Sequence, residues 1–394
     1  MKIEPKTRGF ICTTAHPIGC RENVRRQIDY VKSHPKTDGP KRALILGAST
    51  GYGLASRISS AFSCGAATIG VIFDKPSSGT RTATAGWYNT AAFEEFAHND
   101  GLYAKTINGD AFSQGVKDEV IDLIKKDLGT VDLVVYSLAA PRRTTADGTT
   151  YSSVLKTTGE PYTNATIDLK SNEISQVTVP AATPEEVEAT VKVMGGEDWE
   201  DWIRELSAAG VLAEHTVTVA YSYIGPELTH PIYLNGSIGM AKKHLYETSR
   251  RITENFPGVD GYISVNKALV TQASAAIPIV PLYISILYRL MKEKGLHEGC
   301  IEQMYRMYHD KLFVSPPVTD EAGRIRMDDW EMKEEIQKKA REIWENISTE
   351  NVRQYTDLDG YWEDFYQMFG FRIPGVDYEA DCDPAVPIPS IGTM

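Results

Sequence analysis

The sequence predicts an α/β protein with a doubly wound parallel sheet, and two observations support this. Short apolar runs that fit buried strands alternate with segments that fit helices. The clearest unit is the apolar run 43–46, which ends in Gly47, Gly51 and Gly53 and leads into a helix-like segment. Strands that alternate with helices in this way form a parallel sheet with right-handed crossovers.

We expect residues 1–394 to form one unit with an arm, a core and a C-terminal part. The core spans 42–275, and a Thr- and Ser-rich stretch that breaks the alternation marks an inserted flap within 142–210. The part from 276 to 394 is a mostly helical lid and tail, and the arm is 1–41. The predicted strands are 43–46, 67–73, 103–107, 131–136, 216–221 and 262–265, and helices are predicted at 21–32, 54–62, 89–99, 113–128, 198–209, after Thr183 and near Gly236.

Composition excludes several classes of protein. The net charge of −12 argues against nonspecific binding to nucleic acid or to an anionic membrane. No apolar run approaches the roughly 20 residues that span a bilayer, and no signal peptide is visible. The five cysteines contain no C-x-x-C pair, which favours a reducing compartment, and we expect the cytoplasm. Cys12, His16 and Cys20 lack a fourth ligand at helpful spacing, so no metal site is predicted.

The glycine turn predicts a phosphate cradle. Gly47 permits a tight turn, Gly51 and Gly53 allow the backbone to approach a pyrophosphate, and the following helix offers free N–H groups. The predicted cofactor contacts here are Gly47, Ala48, Ser49, Thr50, Gly51, Tyr52 and Gly53. An ordinary turn between a strand and a helix remains the alternative.

An acidic residue ends the second predicted strand. Phe73 and Asp74 follow Gly53 by about 20 residues, the spacing of the carboxylate that binds a ribose 2′-hydroxyl. Asp74 would repel a 2′-phosphate, so the sequence favours NADH over NADPH, although the adjacent Lys75 weakens that inference. Further cofactor contacts are predicted where the next two strands end, at Asp110, Ala111, Leu138 and Ala139.

Two tyrosine–lysine pairs could supply a proton to a substrate that a nicotinamide cofactor reduces. Such chemistry needs a proton donor and a cation that holds the ribose and lowers the pKa of the donor. Tyr233 and Lys242 stand at Y-x8-K just after the fifth strand, whereas Tyr288 and Lys292 stand at Y-x3-K after the sixth. Because the pair of a short-chain dehydrogenase follows the fifth strand, chain order favours Tyr233 and Lys242.

At these residues the chain resembles the FabV-type trans-2-enoyl reductases, which act on enoyl-ACP or enoyl-CoA. The resemblance extends over essentially the whole chain. It is carried by 15–20, the glycine turn 47–53, Thr84-Ala85-Gly86-Trp87-Tyr88-Asn89, 108–113, 136–139, 192–199, 220–225 and 264–271.

The resemblance implies a single Rossmann-type unit with a substrate lid, NADH as the hydride source and a monomer. It also implies that Tyr233 is the proton donor, that Lys242 contacts the cofactor and that Tyr223 contacts the substrate thioester. Thr271, Gln272 and Ala273 are implied to line the nicotinamide. The family often has Glu where this chain has Asp74.

Two other functions remain open from the sequence. A 3-ketoacyl or ketone reductase would use the same cofactor fold with Tyr288 and Lys292. A non-catalytic NAD(H)-binding protein would bind the cofactor without turnover. The acyl carrier, either CoA or acyl carrier protein, and the chain length are not determined by the sequence.

Overall fold

The computed structural model describes residues 1–8, 11–272, 274 and 277–391. The strands are β1 (Thr7–Arg8), β2 (Ile11–Cys12), β3 (Arg42–Leu46), β4 (Ala67–Ile72), β5 (Ala104–Asn108), β6 (Val131–Tyr136), β7 (Arg142–Thr144), β8 (Thr150–Ser152), β9 (Tyr162–Asp168), β10 (Glu173–Val179), β11 (Leu212–Ser222), β12 (Val259–Val265) and β13 (Ile325–Arg326). The helices are α1 (Pro17–Lys32), α2 (Gly51–Ile58), α3 (Ala85–Asn99), α4 (Gln114–Leu123), α5 (Pro184–Met194), α6 (Glu197–Ala208), α7 (Ser237–Asn255), α8 (Val280–Glu293), α9 (Cys300–Arg306), α10 (Glu334–Asn346), α11 (Val352–Tyr355) and α12 (Leu358–Gln367).

A parallel sheet forms the centre of the molecule, and this confirms the predicted fold class. Within the described ranges it has seven strands in the order β13-β12-β11-β6-β3-β4-β5. The strand order reverses between β3 and β6, which is the topological switch point where ligands bind in open α/β sheets. There the N–H of Ser137 donates to the carbonyl of Leu46 at 2.9 Å, so the two strand ends lie side by side.

The predicted strands form, with differences in extent, and β12 begins at Val259 rather than at the predicted 262. β11 starts at Leu212, earlier than the predicted 216, because it pairs with β6 across a register shift. β13 was not predicted, since it has only two residues and pairs through Ser264–Ile325 and Val265–Arg326 at the edge of the sheet. A π-helical segment follows each of α2 and α4 and ends at Ser63 and Leu128, respectively, whereas the predicted helices ended at 62 and 128.

The arm and the tail pack against the core. Val24, Ile28 and Val31 of α1 are buried, as their helical spacing predicted. The C-terminal tail, described over 370–391, has no helix or strand there, but its Ile388 side chain is fully buried. The backbone N–H and the hydroxyl of Ser390 both donate to Glu94 at 2.8 Å, which ties the tail to α3.

The insert forms antiparallel hairpins, β7 with β8 and β9 with β10. Thr183 caps α5 through a capping box with Glu186, as the sequence predicted. Two indole N–H groups of the C-terminal part hold the second hairpin: Trp344 donates to the Asn164 side chain at 3.0 Å and Trp362 to the Leu169 carbonyl at 3.2 Å. No helix in the described part of the chain is long and apolar enough to cross a bilayer.

Candidate active site

The glycine turn after β3 has the shape of a phosphate cradle. A β-carbon at Gly47, where φ is +81°, would lie 2.1 Å from the Ser137 carbonyl oxygen. One at Gly53 would lie 1.9 Å from the Gly47 carbonyl oxygen, so this glycine lets α2 pack on the turn. Gly51 has φ of +55° and faces open space. Gly47 and Gly53 therefore close the turn, and Gly51 leaves room for a ligand.

The first turn of α2 can bind phosphate. Thr50 precedes α2 and makes no side-chain capping hydrogen bond with the described residues. The first N–H groups of the helix therefore remain available, and they carry the positive end of the helix dipole. Together with the open face at Gly51, this turn fits the pyrophosphate of a dinucleotide.

Asp74 is held in place at the end of β4. Its Oδ1 accepts a hydrogen bond from the Thr84 hydroxyl at 2.7 Å, and its N–H donates to the Asn108 side chain at 2.9 Å. The α-carbon of Gly86 packs against the carboxylate, because a β-carbon there would lie 2.4 Å from Oδ1. Burial raises the pKa of Asp74, and hydrogen bonds from Thr84 and Ser49 oppose this rise. The carboxylate is thus fixed beside the glycine turn.

The other predicted cofactor contacts lie where β4, β5 and β6 end. Phe73 is 80 % exposed, an unusual state for a large aromatic side chain. Asp110 forms a local turn in which one carboxylate oxygen accepts from Phe112 N–H at 3.0 Å, and the Ala111 carbonyl accepts from the Trp202 indole at 3.1 Å. A Leu138 methyl packs beside Gly47, and Ala139 is exposed.

Tyr52 links the glycine turn to the segment after β12. Its hydroxyl donates to the Lys267 carbonyl at 2.9 Å and accepts from the Gln303 amide at 3.0 Å. Its hydroxyl therefore already has a donor and an acceptor within the protein. In the same segment, Thr271 N–H donates to the Ser274 hydroxyl at 2.9 Å, and Gln272 is exposed. Ala273 lies outside the described residues.

Tyr233 and Tyr223 form an aromatic pair just beyond the end of β11. Their ring centroids are 4.6 Å apart in an edge-to-face arrangement. Tyr233 is 8 % exposed, and its hydroxyl makes no hydrogen bond to the described residues. Burial raises the pKa of Tyr233, so the phenol keeps its proton at neutral pH. A protonated hydroxyl without an acceptor in the described part of the protein is suited to donate to a substrate.

Lys242 lies in the second turn of α7 and faces the same strand end. Its ammonium donates to the Tyr221 carbonyl at 2.9 Å, rather than to Tyr233. Burial lowers the pKa of Lys242 to about 8. The first turn of α7 packs on the backbone of Tyr233, since a β-carbon at Gly239 would lie 2.0 Å from the Tyr233 carbonyl oxygen. This glycine therefore allows α7 to pack closely on the backbone of Tyr233.

The competing pair is built into the core of the lid. Tyr288 is fully buried, donates to the Asp364 carboxylate at 2.7 Å and accepts from Val270 N–H at 3.0 Å. The Lys292 ammonium donates to Asp357 at 2.6 Å. Because the Tyr288 hydroxyl already has a donor and an acceptor, the pair is structural.

His16 and Cys12 have structural contacts as well. The Nδ1 atom of His16 accepts from Gly19 N–H at 3.1 Å and caps α1. The Cys12 thiol donates to the Thr14 carbonyl at 3.2 Å. All five cysteines are free thiols.

Sequence reasoning missed two buried side chains at this site. Gln303 of α9 bridges Tyr52 and Lys267, and the Glu331 carboxylate accepts a hydrogen bond from Tyr223 at 3.0 Å. Glu331 lies in the acidic run Asp328-Asp329-Trp330-Glu331, which resembles a solvated loop. No spacing rule connects it to Tyr223, because the contact depends on how β12, β13 and the lid pack.

Three family models match consecutive parts of the chain. The NAD(P)H binding domain of trans-2-enoyl-CoA reductase matches residues 2–79, and the trans-2-enoyl-CoA reductase catalytic region matches 81–313. An enoyl reductase FAD binding domain matches 319–382. The parallel sheet runs across the boundary between the first two, since β3 and β4 pair with each other and with β6 and β5.

The segment 319–382 does not fit FAD. The N-terminus of α12 is capped by Asp357, whose carboxylate accepts from Gly360 N–H at 2.9 Å and would repel a phosphate. The first turn of α10 carries Glu334 and Glu335. Tyr361 and Phe365 of α12 are buried in the core. These helix ends hold carboxylates where a nucleotide would need free N–H groups, so no step is assigned to FAD.

The chain is similar to curated relatives and to solved structures over almost its full length. It is 55 % identical to an enoyl-[acyl-carrier-protein] reductase [NADH] of Flavobacterium johnsoniae, with 99 % of this chain and 100 % of the relative covered. It is 52 % identical to a trans-2-enoyl-CoA reductase [NADH] of Ruminiclostridium cellulolyticum, covering 98 % and 99 %.

Two crystal structures have the same architecture. The trans-2-enoyl-CoA reductase of Treponema denticola, solved with NAD, has a TM-score of 0.94 at 48 % identity over 97 % of this chain and 98 % of that one. A Clostridium trans-2-enoyl-CoA reductase, solved with NADH, has a TM-score of 0.94 at 45 % identity over 98 % of each chain. Together with the matched models, these similarities show that the chain belongs to the trans-2-enoyl-CoA reductase family.

Proposed function

We propose that this protein reduces the C2–C3 double bond of trans-2-enoyl thioesters with NADH. The observation that carries the proposal is the Tyr233 hydroxyl, which has no acceptor among the described residues. Tyr233 follows the carboxyl end of β11, and the glycine turn follows the carboxyl end of β3, so both lie on the same side of the parallel sheet. The NADH-dependent relatives support the choice of reaction.

Tyr233 would stabilise charge on the thioester, and Tyr223 would hold the Tyr233 ring in place. The chemistry that bound NADH supplies is a hydride for C3 of the enoyl chain. As negative charge develops on the thioester oxygen, Tyr233 donates a hydrogen bond to it, and this interaction strengthens only in the transition state. The Tyr233 proton then passes to the enolate, which becomes protonated at C2 to complete the reduction, and a proton from water restores the phenol. Tyr223 lies edge to face with Tyr233 and fixes the position of its ring.

The remaining predicted residues would hold the cofactor. The turn 47–53 and the start of α2 receive the pyrophosphate, and Asp74 accepts a hydrogen bond from the ribose. Lys242 lies between the end of β11 and the approach to Tyr233, where its charge can hold the nicotinamide ribose. We expect further cofactor contacts from residues at or after the ends of β4, β5 and β6, namely Phe73, Asp110, Ala111, Leu138 and Ala139. On the nicotinamide side we expect contacts from Thr271 and Gln272, and Ala273 is kept as a sequence-based expectation because it lies outside the described residues.

The carrier, the assembly and the location complete the proposal. Relatives are named for both acyl carrier protein and CoA, so we expect turnover with both kinds of thioester. We also propose that the protein is a monomer in the cytoplasm; the free thiols of all five cysteines support a reducing compartment. A single species of about 44 kDa in light scattering would agree with the 43.6 kDa chain, and an 87-kDa species would contradict it.

The test is NADH consumption with crotonyl-CoA beside the same assay with acetoacetyl-CoA. Turnover of crotonyl-CoA alone supports the proposal. Turnover of acetoacetyl-CoA alone would indicate a ketone reductase, and NADH binding without consumption of any enoyl thioester would indicate a non-catalytic protein.

Two variants then test the assignment of the donor. Tyr233→Phe should lower kcat by at least about 100-fold, the usual cost of a lost acid or oxyanion donor. Tyr288→Phe is the matched control. It removes a buried hydrogen bond and should lower the free energy of unfolding, but it should leave kcat within about threefold. The opposite ranking would move catalysis to Tyr288.

A further inference from the structure

A fully buried carboxylate lies behind the tyrosine pair. Glu331 is 0 % exposed and lies on the loop between β13 and α10. Its Oε1 accepts from the Tyr223 hydroxyl at 3.0 Å and from the Tyr283 hydroxyl at 2.8 Å. Its Oε2 accepts from the backbone N–H of Ala268 at 2.8 Å. Glu331 therefore receives three hydrogen bonds and has a fixed orientation.

The Tyr223 hydroxyl is held from more than one side. It donates its single proton to Glu331. The α-carbon of Gly225, where φ is +73°, packs against it, because a β-carbon there would lie 2.7 Å from the hydroxyl oxygen. The ring of Tyr233 packs edge to face on its ring. With its proton engaged, the Tyr223 oxygen can offer only lone pairs to a ligand.

The loop that carries Glu331 is itself anchored. Asp328 donates its N–H to the Val265 carbonyl at 3.1 Å, at the end of β12. Arg306 of α9 donates to Glu298 at 2.7 Å and to Asp329 at 3.0 Å, and it lies 4.2 Å above the Trp330 ring. These contacts hold the loop under the lid, so Glu331 cannot readily turn away.

Several charged and titratable groups surround this carboxylate. Burial raises the pKa of Glu331, while the Ala268 N–H, the Lys267 ammonium and the Tyr283 hydroxyl lower it and Asp328 raises it further. Glu331 in turn raises the pKa of the neighbouring phenols, which are Tyr52, Tyr223, Tyr233 and Tyr283. Its electrostatic influence therefore reaches both members of the tyrosine pair.

We propose that Glu331 is a positioning residue that engages the proton of Tyr223 and so leaves Tyr233 as the hydrogen-bond donor of the pair. The proposal rests on the proposed function for its kinetic consequence. The two adjacent phenols then have different roles. Tyr223 shapes the pocket and offers a hydrogen-bond acceptor, and Tyr233 supplies the proton.

Glu331→Gln reverses the polarity of this contact. The N–H of Ala268 can only donate, so the carbonyl oxygen of the new amide must face it. The amide NH2 then takes the place of Oε1 and donates to Tyr223 and Tyr283. Tyr223 becomes an acceptor there, and its own proton turns towards the substrate.

The kinetic test is a rescue. Tyr233→Phe alone should lose at least about 100-fold in kcat with crotonyl-CoA, and adding Glu331→Gln should restore about tenfold of that loss, because Tyr223 can now donate. Further addition of Tyr223→Phe should abolish the gain. The matched control is Tyr283→Phe in the Tyr233→Phe background, which removes the other phenol on Oε1 and should restore nothing. Equal or lower activity of the Glu331→Gln double variant would overturn the proposal.

A second measurement needs no turnover. In protein with 13C-labelled tyrosine rings, the Cζ resonance of Tyr223, assigned through Tyr223→Phe, should shift in Glu331→Gln, while that of the remote Tyr246 stays unchanged. An unchanged Tyr223 resonance in the folded variant would refute the hydrogen-bond assignment. If the Tyr223 resonance shifts but the parent protein consumes no NADH with any enoyl thioester, the proposed function is refuted while the hydrogen bond between Tyr223 and Glu331 remains supported.

Discussion

Gly86 lies in the first turn of α3, with its α-carbon against the carboxylate of Asp74. In Gly86→Ala, the new β-carbon would lie 2.4 and 2.6 Å from the two carboxylate oxygens and 2.6 Å from the Ser49 hydroxyl. Ordinary contact begins near 3.4 Å. The carboxylate must therefore retreat by about 1 Å, since α3 is buried and cannot move away.

That displacement has a calculable cost. The hydrogen bond from Thr84 to Asp74, now 2.7 Å, would be stretched beyond hydrogen-bond length. The cofactor ribose would lose a hydrogen bond to a charged group, worth about 1.5–3 kcal/mol. We expect the KM for NADH to rise about 10- to 150-fold, with a smaller change in kcat at saturating NADH.

The assay is crotonyl-CoA-dependent NADH oxidation over a range of NADH concentrations, with the Kd for NADH measured by fluorescence. Gly115→Ala is the control, because Gly115 is in α4, where a β-carbon meets nothing within 4 Å. It should leave the KM unchanged and slightly stabilise the helix. A KM and a Kd for NADH within twofold of the parent in Gly86→Ala would refute the reasoning, because Asp74 would then have adapted or would not bind the ribose.

Two further predictions concern charge. Burial lowers the pKa of Lys242 to about 8, so its ammonium is lost as pH rises through that value, and kcat/KM for NADH should fall above pH 8. In Lys242→Arg the fall should disappear below pH 10, whereas persistence would assign it to Lys267, whose pKa burial also lowers to about 8. Arg57→Met removes the cation beside the buried carboxylate of Glu94 and should cost about 3–5 kcal/mol in urea unfolding. Arg204→Met, at an exposed pair with Asp201, should cost under about 1 kcal/mol, and equal losses would show that burial does not matter.

Local patterns predicted much of the fold because each depends on neighbours in sequence. The run 43–46 is apolar since β3 is buried on both faces, and Thr183 with Glu186 can form a capping box wherever the helix lies. The position of Asp74 followed from the same logic, because its distance from the glycine turn is set by one helix and one strand. The roles of Asp74, Tyr233 and Lys242 stay predictions until the variants are measured.

The sequence alone determined the class of the sheet and the position of the glycine turn, and it predicted which tyrosine–lysine pair serves the site, since chain order and short spacings encode these features. Tertiary structure decided which hydroxyls are free. Tyr288 matches a catalytic spacing, yet packing gives its hydroxyl both Asp364 and Val270 as partners. Glu331 lies far from Tyr223 in sequence and reaches it only through the packing of the lid on the sheet. A hydrogen bond depends on positions in space to within a few tenths of an ångström, and residue spacing does not specify such positions across long loops.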